Sequence, residues 1–290
     1  MELLKVFGVS IFSFSLVACG GGSGDSVTGD TGVDSSSQQP AYQGSTDYAA
    51  LNLEQCSSYK LALFGDSGLL GLANNFSAEN IIPENNSGNE TIAGRFGGSL
   101  TTSSSFATDN TGWMQADFDQ YQEQEGLEVN GAFKIEQDAY RNYYEYHMLI
   151  SFFELSISYA DVTDITTNGT FEIDRMNPES YVESDTLNIL ISDNISGVQV
   201  AAEDLVINSY EGNQFDISGT IMVSEFGKVD LYNVGGVYTD DGYSFSGGEV
   251  IASGGDSKCR YTYVSDSQVT VEIDADNDDV YEDSSVETWY

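Results

Sequence analysis

The 290 residues carry 47 Asp and Glu against nine Lys and Arg, a formal charge of −38 at pH 7. A surface that acidic repels phosphate, which excludes general nucleic-acid binding, and repels anionic headgroups, so charge does not hold the chain to a membrane. Hydrophobic residues make up 40% and aromatic residues 12%, enough for a core and too many for a disordered chain.

The amino terminus reads as a targeting segment. After a start whose one basic residue is Lys5, residues 6–17 form an apolar run broken only by Gly8 and three serines. Spanning a bilayer takes about 20 residues, so this run fits the apolar centre of a secretion signal instead. Leu16-Val17-Ala18-Cys19, placed directly at its end, resembles the lipobox of bacterial lipoproteins. The resemblance implies a signal peptide over 1–18, cleavage before Cys19, a diacylglyceryl thioether on Cys19 and acylation of its freed amino group by palmitate or a similar chain. A thiolate is the best available nucleophile for that alkylation, and each buried CH₂ adds ~0.8 kcal/mol to the anchor. Gly20, where an Asp commonly signals retention at the inner membrane, implies delivery to the outer membrane. An ordinary signal peptide beside an incidental cysteine is the competing reading.

Residues 19–48 are Gly, Ser, Thr, Asp and Gln with hardly an apolar side chain. They form a flexible tether whose roughly 30 residues reach about 30 Å. A single domain over 49–290 is expected beyond it. With Cys19 assigned to lipid, Cys56 and Cys259 are the remaining pair. A disulfide between them closes a loop of about 200 residues, worth on the order of 4–5 kcal/mol. Two thiols that never meet are the alternative. A tetrahedral metal set is not available from two cysteines and one histidine.

The domain itself reads as strands. Leu127, Val129, Gly131, Phe133 and Ile135 share one phase against Glu128, Asn130, Lys134 and Glu136. The same alternation recurs over 168–174, at Phe215, Ile217, Gly219, Ile221 and Val223, and at Tyr243, Phe245, Gly247 and Ile251. Period two with one wet face predicts an antiparallel sheet. Residues 143–159, apolar on both phases around Met148–Phe153, fit either a doubly buried strand or a short helix. Further strands are predicted at 186–191, 197–201, 205–210, 214–223, 227–232, 243–252, 258–264 and 268–274, while 65–112 reads as loops with a strand or short helix.

In each alternating segment a glycine falls in phase with the apolar residues. Missing side chains on the inner face let a sheet curl, which predicts an all-β, strongly curved antiparallel meander approaching a half-barrel. Unrelated bulges are the alternative for the glycines, and a β-sandwich for the fold. Val129-Asn130-Gly131-Ala132-Phe133, Thr167-Asn168-Gly169-Thr170-Phe171 and Ile217-Ser218-Gly219-Thr220-Ile221 are similar to one another. With the closing acidic run 274–282 and Trp289, residues 125–290 resemble a broad group of uncharacterised proteobacterial β-rich lipoproteins. That resemblance implies an exported all-β domain and no known activity.

Few residues offer chemistry. Asp274, Asp276, Asp278 and Glu282 alternate as in acidic loops that hold Ca²⁺, although Asp279 stands where such loops have glycine and Ser285 where they have a bidentate Glu. The alternative is a solvated acidic hairpin; if Ca²⁺ binds, a weak structural role is expected, and no other cofactor. Phe64-Gly65-Asp66-Ser67-Gly68 invites comparison with serine esterases, but the single histidine, His147, is not in a matching position and no βα alternation is visible. Glu249 falls on the apolar phase, where it faces either a ligand cavity or a partner such as Arg260. No catalytic residues are expected. Two functions fit: an acidic, membrane-anchored, non-catalytic interaction protein with an unidentified protein partner, or a carrier or chaperone of a hydrophobic ligand on the concave face. The filling of that face discriminates between them.

Overall fold

The computed structural model describes residues 41–64, 69, 88–142, 145–160, 163–176, 183–210, 214–239, 245–265 and 268–288. The lipobox with Cys19 and the Gly65–Gly68 block with Ser67 lie outside these residues. One helix, α1 (Leu53–Phe64), precedes fourteen strands. The first seven are β1 (Gly88–Ala93), β2 (Gly97–Phe106), β3 (Gly112–Gln122), β4 (Leu127–Asn142), β5 (Glu145–Tyr159), β6 (Thr163–Asp174) and β7 (Glu183–Asp193). The others are β8 (Gln199–Tyr210), β9 (Gln214–Val223), β10 (Gly227–Thr239), β11 (Phe245–Ser253), β12 (Lys258–Ser265), β13 (Gln268–Asp274) and β14 (Asp283–Thr288).

Every strand pairs antiparallel with the next, so one sheet runs from β1 to β14 in chain order. No ladder joins β1 to β14 among the described residues, and the sheet is an open, curved meander. Strands β9 and β13 have the predicted limits. Within the segment expected at 143–159, Glu145–Tyr159 form a strand, β5, with Tyr146, Met148, Ile150 and Phe152 buried on one face. The two strands expected at 197–201 and 205–210 are one, β8, interrupted by an irregularity at Asp204.

The curl has a repeated local cause. Gly131, Gly169, Gly219 and Gly248 each sit where the register slips against a neighbouring strand. In the fourth segment the glycine at the slip is Gly248 and not Gly247, the one in phase with the apolar residues. For Gly131, Gly169 and Gly219 the two sequence readings merge, since each is a bulge at which an added Cβ would meet a carbonyl oxygen of a neighbouring strand. Gly169 has φ +117°, and a Cβ there would collide with the carbonyl oxygen of Asn188. Opposite two of these glycines stand left-handed non-glycine residues, Glu154 (φ 48°) against Gly131 and Asp204 (φ 47°) against Gly219. Asparagines stitch the bulges together. Asn130 Oδ1 accepts from the Gln120 N–H, Asn168 Oδ1 from Glu154 and Asn188 Oδ1 from Asp204, each at 2.8 Å. Asn233 Oδ1 repeats the bond to Ile217 at 2.9 Å. Bulges deepen the right-handed twist, so a row of them crossing β3 to β11 bends the sheet around its inner face.

That inner face is the core. Phe152, Phe171, Leu187, Leu205, Ile221, Val229, Val269 and Val271 are among the residues in one continuous apolar cluster with Ala49, Leu51 and α1. The part of the tether within the described residues, 41–48, runs along the opposite, outer face. There Tyr42 covers a small cluster of Leu190, Ala201 and Met222. The segment then turns round the β9–β10 hairpin, where Lys228 N–H donates to Asp47 O and Ala49 N–H to Lys228 O, both at 2.9 Å. No helix among the described residues is long and apolar enough to cross a membrane.

Candidate functional site

The helix that sequence reading missed occupies the concave face. Its start is a reciprocal cap: Gln55 N–H donates to Asn52 Oδ1 and Asn52 N–H to Gln55 Oε1, each 3.0 Å. Cys56, Tyr59, Ala62 and Leu63 point into the core at helical spacing and are at most 4% exposed. Cys56 and Cys259 of β12 form the disulfide, with S–S 2.03 Å. Tyr59 donates its hydroxyl to Gly227 O at 2.8 Å, and Phe64 meets the Tyr261 ring edge-on at 5.7 Å. At the β14 edge, Lys60 Nζ reaches Glu287 Oε2 at 2.9 Å and Thr288 O at 2.6 Å, while Ser57 Oγ donates to Glu287 Oε1 at 2.5 Å. Covalent, apolar and ionic contacts thus fix α1 against β10, β12, β13 and β14.

The acidic residues predicted as cation ligands do come together. Asp274, Asp276, Asp278 and Glu282 place carboxylate oxygens within 4.8 Å of one another, so the group could hold a metal ion. They lie in the turn between β13 and β14, whose shape depends on left-handed Asn277 and Asp279. Asp274 is fully buried, and its oxygens are already engaged. It accepts from the Asp278 and Asp279 N–H groups at 3.1 and 2.9 Å, and Lys258 Nζ lies 3.3 Å away. Burial pushes Asp274 up, but those N–H groups and Lys258 outweigh it and hold the carboxyl below the usual range. Asp276 moves the other way, raised chiefly by the neighbouring Asp278 charge. The buried acid therefore organises the turn. Of the exposed three, Asp278 accepts from Val280 N–H and Glu282 from Ala275 N–H, both at 2.9 Å, and their remaining oxygens with those of Asp276 are the ones a hard cation can reach.

Glu249 departs from its expected place. The register slip at Gly248 shifts the phase of β11, so Val250 and Ala252 enter the core while Glu249 and Ile251 face outward. Arg260, the partner expected for Glu249, is opposite Ile251. It donates to Glu272 at 2.7 Å and stacks on Tyr281 at 3.9 Å, and the Glu249 charge still acts on it as a smaller contribution beside that of Glu272. With Tyr232 and Val234, 42% and 54% exposed, these residues make the outer face of β10–β13 aromatic and partly apolar. His147 also faces outward, bonded through Nδ1 to Asp138 and through Nε2 to Glu172. A cleft of about 360 Å³ between Tyr48–Leu51, the β11–β12 turn and Ala275 lies at one end of the sheet and not on its inner face. Its volume is at the lower end for ligand sites.

Comparison with protein-family models, with curated proteins and with solved structures finds no match to this chain in any of the three.

Proposed function

We propose that this chain is an exported lipoprotein, anchored to the outer membrane through acylated Cys19, that acts as a non-catalytic interaction protein. The observation that favours this over a carrier is the occupied concave face. A half-barrel that loads a hydrophobic ligand needs an open apolar trough. Here α1, bound by a disulfide, a buried ion pair and two tyrosine hydroxyls, fills the trough beside β10–β14. Partners then meet the acidic outer surface, where Tyr232, Val234, Arg260 and Tyr281 supply the residue types that contribute most at interfaces. The acidic β13–β14 turn takes Ca²⁺ weakly, in a structural role that relieves crowding among Asp276, Asp278 and Glu282.

Two measurements separate these parts. Replacing Cys19→Ser releases the chain from the membrane fraction if the anchor is right; unchanged partitioning refutes it. Native purification followed by extraction and mass spectrometry yields no stoichiometric lipid if the interaction reading is right. A bound lipid at one per chain would reinstate the carrier.

A further inference from the structure

His147 is the only histidine of the chain. Its Nδ1 lies 2.5 Å from Asp138 Oδ1 on β4, and its Nε2 lies 2.8 Å from Glu172 Oε1 on β6. A neutral imidazole has one N–H, so one of these contacts would set a lone pair against a carboxylate oxygen; only the imidazolium donates to both. The other charged groups on this face are Glu136 of β4, Glu145 of β5 and Asp174 of β6, which is opposite His147 in the register. The cations nearby are committed elsewhere, Lys134 to Glu136 at 2.7 Å and Arg141 to Glu145 at 3.9 Å.

The inner face of the same strand ends holds a second proton-dependent group. Asp185 on β7 is 8% exposed, and its Oδ1 is buried with no hydrogen-bond partner among the described residues. Its register partners are the apolar Ile173 and Ile207. The charged groups facing it are Glu183, two residues earlier on β7, and Arg175 just after β6. Arg175 is engaged by Glu183 and lies 5.1 Å over the Tyr146 ring. An ionised Asp185 would leave an unsolvated oxygen beside the Glu183 charge, whereas a protonated one is tolerated.

We propose that this end of β4–β7 is a proton-operated clasp, closed while His147 and Asp185 each carry a proton and loosened when mildly alkaline medium removes either. Both groups work in one direction. Burial lowers His147, but its bonds to Glu172 and Asp138 outweigh that and raise it above the ordinary value. Its contribution is therefore complete below about pH 6.5 and is lost as pH climbs through the raised value. Burial first, then Glu183, lifts Asp185 well above the usual carboxylate range against a smaller pull from Arg175. The unfolded chain ionises this group from about pH 4 upward and the native one resists, so this contribution also falls as pH rises.

The test uses the full-length chain. With one histidine, the ring-proton NMR titration follows His147 alone, and its midpoint is expected above about 6.5 and lower in Glu172→Gln. Hydrogen exchange in β4–β7, corrected for intrinsic rates, is expected to show about tenfold more opening at about pH 8.5 than at about pH 6. The combined His147→Gln, Asp185→Asn variant should remove that difference. A midpoint at or below the ordinary value, equal corrected exchange at both pH values, or a difference that persists in the combined variant overturns the clasp. Should that variant fail to fold, Asp185→Asn alone, a neutral isostere, must show a reduced pH difference or the proposal fails.

Discussion

The Tyr261 hydroxyl donates to the main-chain carbonyl of Cys56 at 2.9 Å, two residues along β12 from the cysteine bonded to Cys56. One strand thus grips one turn of α1 twice, by a covalent bond and by a buried hydrogen bond. The two act on different states. The disulfide restricts the unfolded chain over a separation of 203 residues, worth about 5 kcal/mol in the entropy model, while the hydroxyl contributes about 1 kcal/mol to the native contact. Urea unfolding of Cys56→Ala/Cys259→Ala should show a loss near the first figure, and Tyr261→Phe near the second. Equal midpoints for the double variant and the parent would mean that the disulfide does not restrain the chain.

The asparagine-stitched bulges make a second prediction. Gly169→Ala forces a side chain onto the Asn188 carbonyl at a left-handed φ, so a loss of about 3 kcal/mol or more is expected. Asn168→Ala removes only the acceptor for the Glu154 N–H, a loss of about 1 kcal/mol. Thermal unfolding checks both. If Gly169→Ala melts with the parent protein, the bulge does not need glycine and the account of the curl fails.

How much of this was legible in sequence follows from what each pattern reports. Period two found most of the strands in β4 and in β6–β13, and cysteine counting found the disulfide, because alternation and pairing are local or arithmetical. The common glycine phase pointed to curvature, but the Asn–Gly repeats hid their second role. That Asn168 hooks the Glu154 N–H depends on which strand lies alongside. Glu249 was misplaced because a slip at Gly248 inverts every later side chain of β11, and no residue type announces the slip. Helix α1 did leave a signal in Asn52-x-x-Gln55 and in Cys56, Tyr59, Ala62 and Leu63 at helical spacing. Its twelve residues were too few to stand out beside the strands. In the acidic turn the four carboxylates were readable, whereas Lys258 in contact with Asp274 was not, since the two meet only across the β12–β13 ladder.

The buried ion pair at the β14 edge gives a prediction about α1 itself. The Lys60 side chain is 4% exposed and depends on Glu287 and the Thr288 carbonyl. Glu287→Gln therefore leaves a buried ammonium without its counter-ion, at a cost of about 3–5 kcal/mol. Lys60→Met removes the charge as well as its partner's role, and should cost less. Chemical unfolding of both variants decides it: a larger loss in Lys60→Met than in Glu287→Gln would show that the ammonium's bonds to Glu287 and Thr288 contribute more than its burial costs.

The acidic turn should respond to protons and to Ca²⁺ through different residues. Asp274 is depressed by its N–H partners and Lys258 against the effect of burial. Its contribution is present above about pH 4 and is lost as pH falls through its native value. Asp274→Asn should therefore cost about 1–3 kcal/mol at neutral pH and flatten the stability profile on the acid side. Ca²⁺ acts on the exposed carboxylates instead. A site of about 1 mM affinity in 10 mM Ca²⁺ stabilises by about 1.4 kcal/mol, or roughly 3 °C in a domain of this size. The rise should appear over a NaCl control of matched ionic strength, reverse on chelation, and vanish in Asp276→Asn/Asp278→Asn. A rise of the same size in that variant would assign the effect to screening of the −38 charge and not to a bound ion.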